Sequence, residues 1–196
     1  AFLGMFIAEG HTSGSRGGKK SNKVTITQVK SNQQQLLINL LNRLPFNYTV
    51  SDNRQFNIYD DNLHDHLSIL GNSEKKYIPN YAKKWSPYLL EILLKWLLIG
   101  DDRNRHSRNG ELLREYCTTS PKLSEDVYEI MLKLGSGASI NTRIQKDRYI
   151  NDISSIDMEI LNEDGTMSLE KKIIKTKRLI EAKNSKLLYI VSEKNT

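Results

Sequence analysis

The sequence predicts an α+β fold made of two related halves, each running in the order helix, two strands, helix, two strands. The first observation is an apolar run over 2–8 that ends in a carboxylate and a glycine, Glu9-Gly10. The second is a similar run over 94–99 that ends in Gly100-Asp101, about half the chain further on. Each run is followed by a basic loop and by strand-like alternation of apolar and polar residues. This recurrence indicates an internal repeat.

The two apolar runs also predict where the chemistry occurs. Gly4 and Ala8 are four residues apart and share one face of a helix, so a second helix can approach that face closely. If the two motif helices pack on each other, both end together and bring Glu9 and Asp101 side by side. Carboxylate oxygens are hard ligands that suit Mg²⁺, so this pair predicts a divalent-cation site.

The remaining elements of the first half have their own local signals. Lys23–Gln28 alternates, with Val24 and Ile26 on the apolar face. Leucines at helical spacing predict a helix that Pro45 ends. The other expected elements are a hairpin of 46–50 and 54–59 and a short helix over 63–70.

The second half repeats this order after a connector at 72–86. Its expected elements are a helix over 87–100, a strand over 111–118, a helix over 120–134 and strands over 137–144 and 186–194. An insertion at about 145–184 separates the last two strands, and its basic part, 171–183, is expected to be helical. The final helix of the repeat is missing, so we expect a chain cut from a longer protein at both ends.

Composition limits the classes of function. The 196 residues carry a formal net charge of +6, which favours a polyanionic partner. The single cysteine, Cys117, excludes an internal disulfide framework and fits a reducing compartment, so we expect an intracellular protein. No apolar run is long enough to span a membrane. The sequence also contains no phosphate-binding loop of the kind that would indicate a nucleotide cofactor.

In sequence order, these motifs resemble the LAGLIDADG homing endonucleases, close to the intein-encoded branch with two repeats in one chain. The resemblance covers most of the chain. Its segments are Leu3-Gly4 with Ala8-Glu9-Gly10, Leu97-Leu98 with Gly100-Asp101, Tyr116–Leu123, Asp126-Val127 and Leu134-Gly135. Two positions depart from the family pattern: Asp102 stands where glycine usually follows the acid, and Trp96 where a small residue is usual.

The resemblance implies a specific architecture. Two pseudo-symmetric αββαββ(α) repeats, at 1–71 and 87–196, are expected to form a saddle of two antiparallel sheets, joined by a linker at 72–86. The two motif helices are expected to pack at the pseudo-two-fold axis. Since the halves differ in sequence, the expected target is a long non-palindromic DNA duplex.

The resemblance also implies a reaction. The expected function is site-specific, metal-dependent double-strand DNA cleavage across the minor groove that leaves 3′ overhangs. Glu9 and Asp101, with Ala8 and Gly100 beside them, are expected to hold Mg²⁺, for which Mn²⁺ can substitute.

Two further catalytic positions follow from the family pattern. Gln28 matches the glutamine at the end of the second strand, and Lys194 matches a lysine after the fourth strand. Asp61 occupies the corresponding place in the first half, so one expected lysine is missing there. We therefore expect the two DNA strands to be nicked at unequal rates.

The implied partner is double-stranded DNA, bound by a monomer. Side chains on the exposed strand faces and in the basic loops are expected to contact bases and phosphates. The expected contacts are Ser13, Arg16, Lys19, Lys23, Thr25, Thr27, Tyr48, Arg54, Arg103, Arg105, Arg108, Arg114, Ser139, Asn141 and Arg143.

Other functions remain open at this point. The same fold could serve as an RNA maturase or as a DNA-binding protein that does not cut, and a basic structural domain with an accidental repeat is a further alternative. The chain has no Cys or Ser at its start and no His-Asn pair at its end, so we do not expect self-splicing activity in it. It could still be the endonuclease portion of an intein.

Overall fold

The computed structural model describes residues 1–14, 22–101, 104–106, 112–144, 148–161, 167–180 and 186–194. For Asp101, 104–106, Leu112 and the strands within 148–180 it is the backbone course that is described. The contacts divide the chain into two compact units, Ala1–Arg143 with Leu188–Thr196, and Ile144–Leu187.

The first half builds a four-stranded antiparallel sheet with the strand order β1-β2-β4-β3. Its elements are α1 (Phe2–Glu9), β1 (Gly10–Thr12), β2 (Lys23–Thr27), α2 (Ser31–Leu41), β3 (Tyr48–Ser51), β4 (Gln55–Tyr59) and α3 (Asp61–Ser68).

The second half builds another four-stranded sheet with the order β5-β6-β10-β7, in which each described pairing is antiparallel. Its elements are α4 (Asn80–Lys83), α5 (Pro87–Asp101), β5 (Asn104–His106), β6 (Leu112–Thr118), α6 (Pro121–Lys133), β7 (Ala138–Ile144), β8 (Arg148–Leu161), β9 (Met167–Ile180) and β10 (Leu187–Glu193).

Helix boundaries follow from local chemistry. The Asp60 side chain accepts a hydrogen bond from the Leu63 N–H and begins α3, and Ser120 does the same for Leu123 at the start of α6. The chain turns after α6 at Gly135, whose φ of +82° is costly for a residue with a side chain. These caps set the starts of α3 and α6, and α3 lies two residues earlier in the chain than the predicted 63–70.

The core lies between the two motif helices and the inner faces of the sheets. Met5, Phe6, Leu93, Leu94 and Leu97 are essentially inaccessible to solvent. The α1 and α5 helices pack on each other, and the inner faces of β2, β4 and β6 cover them. The predicted fold class is therefore confirmed: two antiparallel sheets, with the two motif helices in contact.

The connector between the halves is docked on the core. Ile78 and Ala82 are buried, and Trp85 packs against the same cluster. The Asp126 carboxylate of α6 is fully buried, and it accepts hydrogen bonds from the Ile78 N–H and from the Lys83 ammonium, both at 2.9 Å. These two hydrogen bonds hold the connector against α6.

The second compact unit is a long β-ribbon. β8 and β9 pair antiparallel from Arg148 opposite Ile180 to Leu161 opposite Met167. The expectation that the basic segment 171–183 is helical is wrong over 171–180, because strand pairing prevails there; the β-branched residues of β9, such as Ile173 and Ile174, favour it. Residues 181–183 lie outside the described part. Among the helices that the structure describes, none has the length and apolar character needed to cross a membrane.

Candidate functional site

The candidate site is built around the close contact of α1 and α5. A Cβ added to Gly4 would lie 2.6 Å from the Leu93 carbonyl oxygen and 3.0 Å from the Trp96 Cβ. The missing side chain of Gly4 therefore makes room for the backbone of α5, including its bulky Trp96. The predicted close approach across the face of Gly4 is present in the structure.

At the other end of this contact, Gly100 lies against the end of α1. A Cβ on Gly100 would overlap the Ala8 Cβ and would lie 3.3 Å from the Glu9 Cγ. Glu9 is the last residue of α1, and Asp101, the last residue of α5, follows Gly100 directly. The two helices thus end together, as the sequence predicts.

A buried lysine that the sequence analysis overlooked caps the end of α1. The Lys76 ammonium donates hydrogen bonds to the carbonyls of Phe6, Ile7 and Gly10 at 3.0, 2.7 and 2.6 Å. The Phe6 carbonyl also accepts the Gly10 N–H, and the end of α1 carries the negative end of the helix dipole, so a cation is favourable there. Burial lowers the pKa of Lys76 to about 8, and the Glu9 carboxylate acts in the opposite direction.

Lys194, the lysine expected from the family pattern, lies on a different part of the second sheet. Register puts Lys194 opposite Leu113, five residues along β6 from Thr118, or about 17 Å at strand spacing. Thr118, by contrast, lines a cavity of about 230 Å³ together with Ala8 and Lys76. The assignment of Lys194 stays a prediction, and the lysine that the structure does place at the end of α1 comes from the connector. The sequence gives little indication of the role of Lys76, because it is one of several lysines in the connector.

Gln28 lies at the same end of the first sheet as Glu9. It follows Ile26 by two residues, and Ile26 is paired with Gly10, the residue after Glu9. The Gln28 side chain is 5% exposed, and its Oε1 accepts a hydrogen bond from the Lys30 N–H. Its Nε2 is buried and has no hydrogen-bond partner within the described residues. A buried amide donor without a partner is costly and points to a ligand that satisfies it.

One face of the first sheet is polar. His11, Thr25, Asn57 and Thr49 lie opposite one another on the four strands and form one row across the sheet. Burial, followed by the nearby ammonium groups of Lys76 and Lys23, lowers the pKa of His11. Such a row of uncharged hydrogen-bonding groups can face base edges in a groove.

Two residues of this sheet are not placed as expected. Thr25 is on the predicted face but only 1% exposed, because its hydroxyl donates to the Asn57 Oδ1 at 2.9 Å. Tyr48 is on the opposite face: it pairs with Ile58 and its ring packs against Phe56. Neither side chain presents a free surface in this structure, and DNA contact by either one stays a prediction.

Arg114 is also directed away from the expected surface. Its guanidinium donates to the carboxylates of Glu193 at 2.7 Å and Glu91 at 3.1 Å, and to the Ser136 hydroxyl. Glu91 is on α5, so Arg114 faces the helices. Its hydrogen bonds lower the pKa of Glu193 to about 2. The DNA-contact prediction for Arg114 is corrected to an internal ion-pair network.

The remaining expected contacts are distributed over several elements. Arg54 is exposed at the tip of the β3–β4 hairpin, and Asn141 and Arg143 are exposed along β7. Half-buried residues of this set are Ser13, Lys23, Thr27 and Ser139. Arg105 lies on β5, and Arg16, Lys19, Arg103 and Arg108 lie outside the described residues.

The two motif helices each end in an acid, and carboxylate oxygens are ligands that suit a hard divalent cation. Glu9 supplies one carboxylate, and Asp101 is the matching acid in sequence. No cluster of three or more His, Cys, Asp or Glu side chains occurs in the described part of the chain.

Comparison with known proteins agrees with this fold. A structure of I-DmoI in complex with its target DNA and in the presence of manganese matches over 98% of this chain and 84% of that chain, with a TM-score of 0.50 and 14% identity. Structures of mesophilic variants of the homing endonuclease I-DmoI match over 97% and 80%, also with a TM-score of 0.50 and 14% identity. No protein-family model matches the sequence.

A curated protein also matches in sequence. The ATP-dependent Clp protease proteolytic subunit of Chlamydomonas moewusii is 26% identical over 167 residues, which is 81% of this chain. The match spans 16% of the length of that protein. The structural likeness shows that this chain has the fold of the homing endonuclease I-DmoI.

Proposed function

We propose that this chain is a LAGLIDADG-type, site-specific DNA endonuclease that cuts both strands of a long, non-palindromic target and leaves 3′ overhangs. The observation that carries the proposal is the contact of Gly100 with Ala8 and Glu9. It brings the ends of the two acid-bearing helices together at one place, next to a buried lysine and an unpartnered amide donor. The fold shared with I-DmoI, which is bound to its target DNA in one matched structure, supports the same reading.

Glu9 and Asp101, with the carbonyls of Ala8 and Gly100, are the residues that would hold Mg²⁺ or Mn²⁺. Such an ion supplies Lewis-acid activation of water and neutralises charge on the leaving oxygen. The likeness to a protein studied with manganese supports a divalent ion of this kind.

The other residues of the site have distinct tasks. Lys76 holds the end of α1 in place and lends positive charge to the region where a phosphate must approach Glu9. The Nε2 of Gln28 donates a hydrogen bond to a water molecule or a phosphate oxygen. His11 and Thr49, the exposed members of the polar row, face the groove, and exposed Arg54 and Arg143 contact phosphates.

We further propose that the segment belongs to an intein and acts as a monomer inside the cell. The Chlamydomonas relative supports the first part, because the matched segment is only 16% of that protein's length, as expected of an element embedded in a longer host. One chain carries both acids of the proposed site, so a second copy is not needed to complete it.

The test is strand cleavage by acid variants. A randomised duplex library is selected for cleavage by the wild-type protein in Mg²⁺, and the recovered target is then cut in single-turnover reactions. Glu9→Gln and Asp101→Asn are each expected to abolish double-strand cutting while binding of the target is retained. Glu125→Gln, which changes an exposed acid of α6, is the matched control and is expected to cut normally.

Three results would count against the proposal. Continued cutting by both acid variants would contradict the assigned site. Binding that is not weakened by salt would contradict contact with phosphates. Binding without cutting by the wild type, or preference for a structured RNA over any duplex, would replace the endonuclease with a binding protein or maturase.

A further inference from the structure

A glutamine on α2 connects the end of strand β2 to the tip of the neighbouring hairpin. The Gln34 Nε2 donates to the carbonyl of Gln28 at 2.6 Å and to the carbonyl of Asn53 at 2.8 Å. Each of its two amide hydrogens therefore has an acceptor on a different chain segment. Asn53 lies in the β3–β4 turn, where both central residues have positive φ, and the Gln28 N–H donates to the Arg54 carbonyl beside it.

These bonds fix the orientation of the Gln28 side chain. With its backbone held by Gln34 and Arg54, the Gln28 Oε1 accepts from the Lys30 N–H at 3.1 Å. An N–H donor can only be met by the oxygen of the amide, so the nitrogen must point the other way. The Nε2 left over is the buried donor without a partner in the described structure.

The second half has a similar arrangement without this donor. Thr118 precedes α6 by three residues, as Gln28 precedes α2, and its Oγ1 accepts from the N–H two residues further on, that of Ser120, at 3.1 Å. Thr118 therefore repeats the local bond of Gln28 but carries no amide nitrogen. The two halves of the site therefore differ in chemistry, with the long amide of Gln28 in one and the short hydroxyl of Thr118 in the other.

We propose that Gln34 is a positioning residue that aims the Gln28 amide at the reacting phosphate or its attacking water, and that it acts on one DNA strand only. This inference rests on the proposed endonuclease function. Because each half of a two-fold protein serves one half of a two-fold site, loss of the Gln34 clamp affects the nick made by the first half. The nick made by the Thr118 half has no such donor to lose.

The experiment measures each nick separately. The selected duplex target, labelled on either strand, is cut by wild type and variants in single-turnover reactions at saturating protein, and the dissociation constant is measured in Ca²⁺. Gln34→Met removes both donors at similar volume. Gln35→Met is the matched control, since Gln35 is next in the helix, exposed and bonded to Asn39 only in the described structure.

The expected result is a loss of about ten- to a hundred-fold in one nick for Gln34→Met, the range expected for a small displacement of a reacting group. The other nick and the dissociation constant should change less than about two-fold, and Gln35→Met should match the wild type. Gln34→Lys keeps an ammonium that can donate to both carbonyls and should restore most of the lost rate.

Several results would overturn the inference. Equal slowing of both nicks, or weaker binding with unchanged nicking rates, would make Gln34 a structural or a DNA-binding residue. If Gln34→Met does not fold, as judged by its thermal transition, the folded Gln34→Lys variant decides: a slow first-half nick in it contradicts the clamp. If the wild type cuts and both Gln34 variants nick at wild-type rates, this inference alone is wrong. If the wild type does not cut, the proposed function is wrong as well.

Discussion

Replacing Gly4 by alanine tests the central contact of the molecule. The new Cβ would lie 2.6 Å from the Leu93 carbonyl oxygen, which belongs to the backbone of α5 and cannot rotate away. An ordinary carbon–oxygen contact is about 3.3 Å or longer, so the two helices must separate by roughly 0.7 Å or distort. Gly4 is fully buried between them, and no solvent-filled space can take up the methyl group.

The energetic result is the difference between two opposing effects. Overpacking of a close-packed interior costs about 1–3 kcal/mol, whereas alanine favours a helix over glycine by about 1 kcal/mol. Because the new Cβ meets backbone, we expect the upper end of the overpacking cost, so Gly4→Ala should lower the free energy of unfolding by about 2 kcal/mol. For a chain of this size, that corresponds to a fall of roughly 4–8 °C in Tm.

Urea unfolding followed by circular dichroism measures this change directly. The matched control is Gly14→Ala, because a Cβ at Gly14 meets no atom within 4 Å. If Gly4→Ala were as stable as the wild type or more stable, the helices would not be in the contact described here. Its double-strand cleavage should also fall, because Glu9 moves with α1, and a shift of about 1 Å can cost up to about a hundred-fold in rate.

Two further predictions concern buried charges. Asp126→Ala removes the acceptor of the Ile78 N–H and of the Lys83 ammonium, so it should lower the free energy of unfolding in urea by about 3–5 kcal/mol and speed proteolysis of the connector. Replacing the exposed Glu125 by alanine should have little effect on either measurement. Equal losses of stability in the two variants would contradict the role of burial. For Glu193, hydrogen bonds from Arg114 lower the folded-state pKa from 4.5 to about 2, so its contribution to stability is present above about pH 4.5 and lost as the pH falls toward 2. Glu193→Gln should therefore flatten the fall of unfolding free energy between pH 5 and 2, and an unchanged slope would refute the assignment.

Sequence patterns were sufficient for the elements whose signals are local. The apolar runs that end in Glu9 and Asp101, the Ser120-Pro121 start of α6 and the strand alternation at Val24 and Ile26 each depend on residues only a few positions apart. Periodicity and capping are decided over this range, so the order of elements could be predicted. The small residue at Gly4 likewise predicted the close approach of α1 and α5.

Side-chain direction was less accessible to sequence analysis. Tyr48 and Arg114 were expected at the DNA surface because of their residue type, but strand register turns both toward the helices. A shift of one residue in register reverses the face on which a side chain lies, and pairing partners distant in sequence set that register. The ribbon β8–β9 was misread for a related reason, since the basic segment pairs with a strand rather than forming a helix.

The sequence alone determined the repeat, the two acids and the packing of the helices that bear them, because these follow from residues within single helices. Only the tertiary structure decided that Lys76 caps α1, that Gln34 holds Gln28, and that the Gln28 Nε2 finds no partner among the described residues. Lys76 is 66 residues from Gly10 in the chain, and Gln34 is 19 from Asn53. Such contacts depend on how separate elements meet, and no local pattern of residues encodes them.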